Sequence, residues 1–222
     1  FDLINEIEAH GILPTRWLRE AANDDVIFTE RYKIPEANFQ PATLDLRLGE
    51  TAHRLRCSFL PDSSSVMEKL ADLGMEEIDL RDGAILERNR PYLIPLIEEM
   101  RLPEYIQAKT NPRSSTGRLD IFTRVITDHS HKFDAIAAGY QGQLYLEVVS
   151  RSFTIKVQTG LSLNQLRLFK GDPRCQPREV RQLHQEQPVV LDQRGQIEQL
   201  SEPGDDNSVN LGVDLIGQPN GV

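Results

Sequence analysis

Two short stretches concentrate polar and charged side chains in patterns that suit anion binding and proton transfer. Residues 111–118 run Asn111, Pro112, Arg113, Ser114, Ser115, Thr116, Gly117, Arg118. Guanidiniums at both ends of a hydroxyl-rich turn, with a flexible glycine between them, can converge N–H and O–H donors on phosphate oxygens, a geometry that suits a triphosphate. Arg, Ser and Gly are also the ordinary residues of a solvated turn, so the bend alone leaves both readings open. The second stretch runs from Gly142 to Val149. Period-two alternation puts Leu144, Leu146 and Val148 on one face of a strand and Gln143, Tyr145 and Glu147 on the other. A mid-strand carboxylate among such neighbours is partly desolvated, which suits it to carry a proton near neutral pH. The competing reading is a charge that guards a sheet edge.

The elements that must hold these stretches read mostly as strands. Apolar and polar residues alternate over 43–48 and stop at Gly49, the pattern of a half-buried strand closed by a turn. Further strands are expected over 92–95, 106–109, 121–126, 143–149, 153–157 and 163–169, punctuated at short intervals by Gly and Pro. That order fits an all-β barrel or sandwich better than alternating βαβ units. One short amphipathic helix is expected over 12–22, with Pro14 and Thr15 at its start, and residues 63–75 could form a second on a loop. After Phe169 the cluster Lys170, Gly171, Asp172, Pro173 breaks the pattern and a polar, Gln-rich and Arg-rich stretch follows. The expected division is a domain over 1–170 and a polar linker over 171–222. Residues 209–217 loosely echo residues 44–49, which reads either as the start of a second, related half or as a chance short strand.

Composition narrows the partners. Over 222 residues the formal net charge is −9, with 39% hydrophobic and 27% charged residues, the balance of a folded globular protein. Lys and Arg form no run long enough to track a phosphate backbone, so nucleic-acid binding is not expected. No apolar stretch reaches membrane-spanning length, so no membrane partner is expected either. Two cysteines, Cys57 and Cys175, fit no disulfide framework or zinc spacing, and a reducing cytoplasm is the expected compartment.

Taken in order, five blocks resemble the dCTP deaminase/dUTPase-like superfamily, and within it the dCTP deaminases. The segment 11–13 with its following helix and residues 40–49 resemble the family's opening. Residues 92–95 and 102–103 resemble the approach to its Arg-Ser-Ser turn, and Arg113, Ser114, Ser115 and Arg118 match that turn. Residues 142–147 resemble its Gly-x-x-x-Leu-Glu strand, and Gly160, Leu161, Asn164, Gln165, Leu166 its closing segment. The resemblance implies a mainly β fold, a distorted β-barrel of the dUTPase-like (β-clip) type with a short N-terminal helix. It implies a homotrimer or higher assembly, with dCTP or dUTP bound between subunits. Glu147 matches the general base and acid that activates water against C4 of cytosine, with Ser114 and Arg118 as its partners. Arg113 and Ser115 match phosphate contacts, while Thr127, Asp134 and Gln165 fall at substrate-binding positions. Magnesium is expected on the triphosphate and no zinc.

The chain also departs from the pattern. Pro112 stands where the family has Gly, which removes an N–H. Residues 128–138 are longer than the compact Ile-Asp-Pro-Gly turn expected there, with Asp134 the best match for its Asp. His129 and His131 in this insertion could share a face and bind a metal, or belong to a polar loop. The family's closing tail, with Lys, Tyr and Gln-Gly, has no match after Lys170. A dUTPase or bifunctional enzyme of the same fold, using an Asp-activated water, and a catalytically silent nucleotide-binding module are the competing functions. A zinc-dependent cytidine deaminase would need Pro-Cys-x-x-Cys, which two distant cysteines cannot supply.

Overall fold

The computed structural model describes residues 1, 4, 10–173, 175–188, 190–191 and 195–196. Two units are separated, Phe1–Asp172 and Pro173–Val222. Among the described residues the first holds thirteen strands in chain order: β1 Gly11–Ile12, β2 Ile27–Phe28, β3 Leu44–Arg47, β4 Thr51–Leu55, β5 Gly74–Asp79, β6 Ala84–Leu86, β7 Tyr92–Arg101, β8 Ile106–Pro112, β9 Ile121–Ile126, β10 Ala135–Ile136, β11 Gln141–Ser150, β12 Ile155–Val157 and β13 Ser162–Lys170. Helices α1 (Thr15–Asn23), α2 (Val66–Leu73) and the short α3 (Ser114–Arg118) interrupt them. The second unit contributes a helix, α4 (Pro177–Glu186), within the stretch expected to be linker. Its first turn is fastened by the Glu179 carboxylate, which accepts from the Gln176 backbone N–H at 2.5 Å. Residues 209–217, the candidate start of a second half, lie outside the described residues.

The fold is mainly β, and its barrel is loose because the sheets do not close on one another. One sheet runs β1-β13-β8-β10 with β3 on β13, a second runs β5-β4-β7-β11-β9 with β2 on β7, and β12 pairs with β6 in a small third. Leu44, Leu46, Ile94, Leu96, Leu144, Leu146, Val148, Leu166 and Leu168 fill the main core between them. A smaller cluster of Leu55, Phe59, Val66, Leu70, Leu93, Ile126 and Tyr145 covers the other side of β11, with Phe133 packed against it. Helix α2 supplies Val66 and Leu70 to that cluster. It begins at a capping box, Ser65 accepting from the Glu68 N–H at 3.2 Å and Glu68 from the Ser65 N–H at 2.8 Å.

Three local features set the site strand. Pro95, inside β7, has no N–H to give to β11, and the register shifts between Gln143 and Tyr145 opposite it. The Gln143 side-chain amide donates to the Leu96 carbonyl at 2.6 Å across this irregularity. The Pro95 carbonyl instead accepts from Gly49 N–H at 2.9 Å, so close that a Cβ on Gly49 would stand 2.4 Å from that oxygen. Strand β3, expected to be half-buried, is buried on both faces. Its two charges turn inward to partners, Arg47 to Glu98 and Asp45 to Arg113.

Candidate active site

Glu147 occupies the middle of β11, with Leu93 of β7 and Arg124 of β9 as its cross-strand neighbours. Strands on both sides and the smaller apolar cluster above leave its side chain 0% exposed. Burial is therefore complete where the alternation predicted it to be partial, because α2 and the loop before it cover this face. Arg124 donates to Glu147 Oε1 from Nη2 at 2.5 Å and from Nε at 3.1 Å. Glu147 Oε2 is buried without a hydrogen-bond partner among the described residues. Arg124 also donates from Nη2 to Ser58 Oγ at 2.7 Å, and its guanidinium lies 3.8 Å from the Phe133 ring centre and 4.9 Å from that of Phe122.

Asp134 stands next to this pair. Its φ of 59° is the left-handed conformation that Asp tolerates better than most residues. The Val125 N–H and the Thr110 hydroxyl each donate to its Oδ1 at 2.8 Å. Burial pushes its carboxyl up, the hydrogen bonds and the Arg124 charge pull it down, and the neighbouring Glu147 charge pushes it up again. Thr127, one residue past β9, is buried. Tyr145, on Glu147's face, is pushed up to about 12 by burial, so its phenol stays neutral and is no base at neutral pH.

The Arg-Ser-Ser bend lies at the other end of β9. Ile121 is paired with Ser150 and Arg124 with Glu147, so the start of β9 stands about 10 Å along the strand from the carboxylate. Ser114, Ser115 and Arg118 form the exposed face of α3. Within one chain neither Ser114 nor Arg118 makes a hydrogen bond or ion pair with Glu147, whose partner is Arg124. Arg113 holds the bend in place: its Nε lies 3.3 Å from Asp45 Oδ2, and its Nη1 donates to the Ser162 carbonyl at 3.3 Å. Burial raises the Asp45 carboxyl, with Arg113 opposing. Arg113, Ser115, Phe153 and Leu161 are among the walls of a cleft of about 470 Å³ beside the bend. Gln165 sits in β13, paired with Asn111 and Asp45.

The insertion loop packs on the segment leading into α2. His129 Nδ1 lies 3.0 Å from the Ser63 carbonyl and His131 Nδ1 2.6 Å from Asp62 Oδ1. Among the described residues no group of three or more His, Cys, Asp or Glu side chains could hold a metal ion. The hydrogen-bond partner of Glu147 that the sequence did not reveal is Arg124, 23 positions away and brought beside it only by strand register. An Arg and a Glu at matching places on adjacent strands was the signal that could have found it.

Residues 9–172 match the family described as 2'-deoxycytidine 5'-triphosphate deaminase (DCD) N-terminal domain. A dCTP deaminase, dUMP-forming, from Sulfurihydrogenibium sp. (strain YO3AOP1) is 26% identical over 172 residues, covering 74% of this chain and 87% of that protein. A dCTP deaminase of Acidianus ambivalens is 34% identical over 85 residues, 38% of this chain and 44% of that one. The crystal structure of 2'-deoxycytidine 5'-triphosphate deaminase from Agrobacterium tumefaciens superposes with a TM-score of 0.76 at 43% identity over 82% of this chain. The chain spans 55% of the length of that structure. With the match running from residue 9 to residue 172, the chain belongs to the dCTP deaminase N-terminal-domain family.

Proposed function

We propose that the protein hydrolyses the C4 amino group of dCTP, releasing ammonia and dUTP, as a step of pyrimidine deoxynucleotide metabolism. The observation that carries this reading is Glu147: a buried carboxylate with one oxygen held by Arg124 and the other, Oε2, without a partner among the described residues. A buried acceptor left unpaired is costly unless something comes to meet it. In the proposed reaction Glu147 takes a proton from water as its oxygen bonds to C4. It then gives that proton to the amino nitrogen, which leaves as ammonia with the C4–N electron pair. The remaining hydroxyl proton ends on N3 as the C4 carbonyl forms. Cytosine C4 is a poor electrophile, so deprotonating the water and holding the base both lower the barrier. No zinc is required in this scheme.

Ser114 and Arg118 hold the base and the developing charge in this reading, and Arg113 and Ser115 hold the phosphates, with Mg2+ on the triphosphate. The distance between the bend and Glu147 within one chain favours a site shared between protomers, one giving Glu147 and its neighbour the bend. Thr127, Asp134 and Gln165 complete the substrate contacts. A trimer would bring three such sites together.

A second reading extends the first. The relatives with the longest matches are named dUMP-forming, and Asp134 lies within electrostatic reach of Glu147 and Arg124. In that reading the same site also cleaves the triphosphate, with Asp134 activating the water. Measuring ammonia and pyrophosphate from dCTP and from dUTP, with and without EDTA, separates the possibilities. Ammonia with dUTP means deamination alone, and ammonia with pyrophosphate and dUMP means the bifunctional form. Tight dCTP binding with no ammonia would overturn the catalytic reading and leave a nucleotide-binding module.

A further inference from the structure

The hydrogen bonding around Glu147 is lopsided. A guanidinium facing a carboxylate usually forms a fork, one donor to each oxygen. Arg124 instead spends Nε and Nη2 on Oε1 alone, at 3.1 and 2.5 Å, and Oε2 receives no hydrogen bond among the described residues. The reason lies in how Arg124 is held. Nη2 also donates to Ser58 Oγ at 2.7 Å, and the guanidinium is flanked by the rings of Phe133 at 3.8 Å and Phe122 at 4.9 Å. The strand after α3, the loop before α2 and the insertion loop thus all grip one planar group. Its side chain is 25% exposed over a carboxylate that is not exposed at all, so Arg124 is the group nearer solvent.

We infer that Arg124 is the positioning residue for Glu147: by holding Oε1 it commits Oε2 to the water and to the departing amine. This inference rests on the deamination reading. One oxygen then both receives the water proton and returns it, with no turn of the carboxyl between the two transfers. Arg124 exchanges no proton itself, since its guanidinium stays charged. Lys at this position would keep the charge and lose the planar fork, so it could not hold Ser58 and Oε1 from one rigid group.

The test compares wild type, Arg124→Lys and Arg124→Ala for ammonia release from dCTP. Low millimolar guanidinium chloride is added in a parallel series, and dCTP affinity is measured by titration calorimetry. Arg124→Ala is expected to lower kcat by about 10²-fold with dCTP affinity largely kept, the size of a small misplacement of a reacting group. Free guanidinium should restore part of that loss, which repair of a merely structural defect would not do. Arg124→Lys should fall between the two. Wild-type kcat in both variants, or a loss in folded Arg124→Ala that guanidinium leaves untouched, would overturn the inference. Where Arg124→Ala fails to fold, Arg124→Lys decides alone: a lowered kcat at unchanged affinity supports the inference and wild-type turnover overturns it. Wild-type protein that binds dCTP and releases no ammonia would overturn the deamination reading, and the inference with it.

Discussion

Two glutamates are buried in the same sheet, Glu98 on β7 and Glu147 on β11, each against an arginine, and the two pairs are finished in different ways. Glu98, alternating with Leu96 and Met100 on the core face of β7, has both oxygens occupied: Oε1 accepts from Arg47 Nε at 2.6 Å and Oε2 from the Arg47 backbone N–H at 2.7 Å. Arg47 then spends its remaining donors on the Lys33 and Tyr32 carbonyls at 3.1 and 2.8 Å, tying the loop after β2 to the core. Glu147 has one oxygen occupied twice and the other unpaired among the described residues. Both carboxylates are fully buried and both face a guanidinium, so burial and charge pairing do not distinguish them. The vacant oxygen does. A closed polar network fixes a fold, whereas a half-satisfied one is costly and persists where function uses it.

Either pair can be disrupted by a single substitution. The largest effect on stability is expected at the closed one: Arg47→Met leaves the Glu98 charge buried and unpaired and should cost about 3–5 kcal/mol in denaturant unfolding. Ammonia release per folded molecule should stay at the wild-type level. An Arg47→Met protein as stable as wild type would mean the two pairs do not differ as described. Away from both pairs, Arg113→Ala should weaken dCTP binding by about 1.5–3 kcal/mol in titration calorimetry, the loss of a hydrogen bond to a charged group. Unaltered affinity would remove Arg113 from the phosphate site.

The smallest effect is expected at Asp134, which borders the open pair. Its carboxyl is raised above the ordinary value by burial, so the folded protein holds that proton more tightly than the unfolded chain does. The sign follows: its favourable contribution is full below the unfolded value of about 3.9 and is lost as pH rises through the higher folded value. Asp134→Asn keeps the oxygen that accepts from Thr110 and Val125, so it should flatten the pH dependence of unfolding across that interval. A slope that survives the substitution would assign it to other groups.

Much of the framework was legible in the sequence, and the reasons differ by element. Strand β9 follows the expected residues 121–126, because Ile121, Phe122, Val125 and Ile126 make a short apolar, β-branched run bounded by polar residues. Strand β7 runs on to Arg101, well past Pro95, since the register shift opposite absorbs the missing N–H. The pairing of β4 with β5 could not be read, because α2 and its loop separate the two in sequence and only tertiary packing reunites them. The site divides likewise. Glu147 and the Arg-Ser-Ser bend were visible as candidates in their own strand and turn, but their local pattern left an edge charge and a solvated turn equally open, and only the family resemblance gave them roles. Arg124 and the paired Glu98 and Arg47 depend on which strands become neighbours, which local spacing does not encode.

The most direct measurement is ammonia release from dCTP by Glu147→Gln, with dCTP affinity and thermal unfolding followed on the same protein. The amide keeps the shape and can still accept from Arg124, but it cannot take the proton from water. Turnover should fall by about 10²–10⁴-fold, the usual contribution of a general acid–base group, while binding and folding stay near wild type. Wild-type turnover in the folded variant would contradict the account, because the vacant oxygen would then have no part in the reaction.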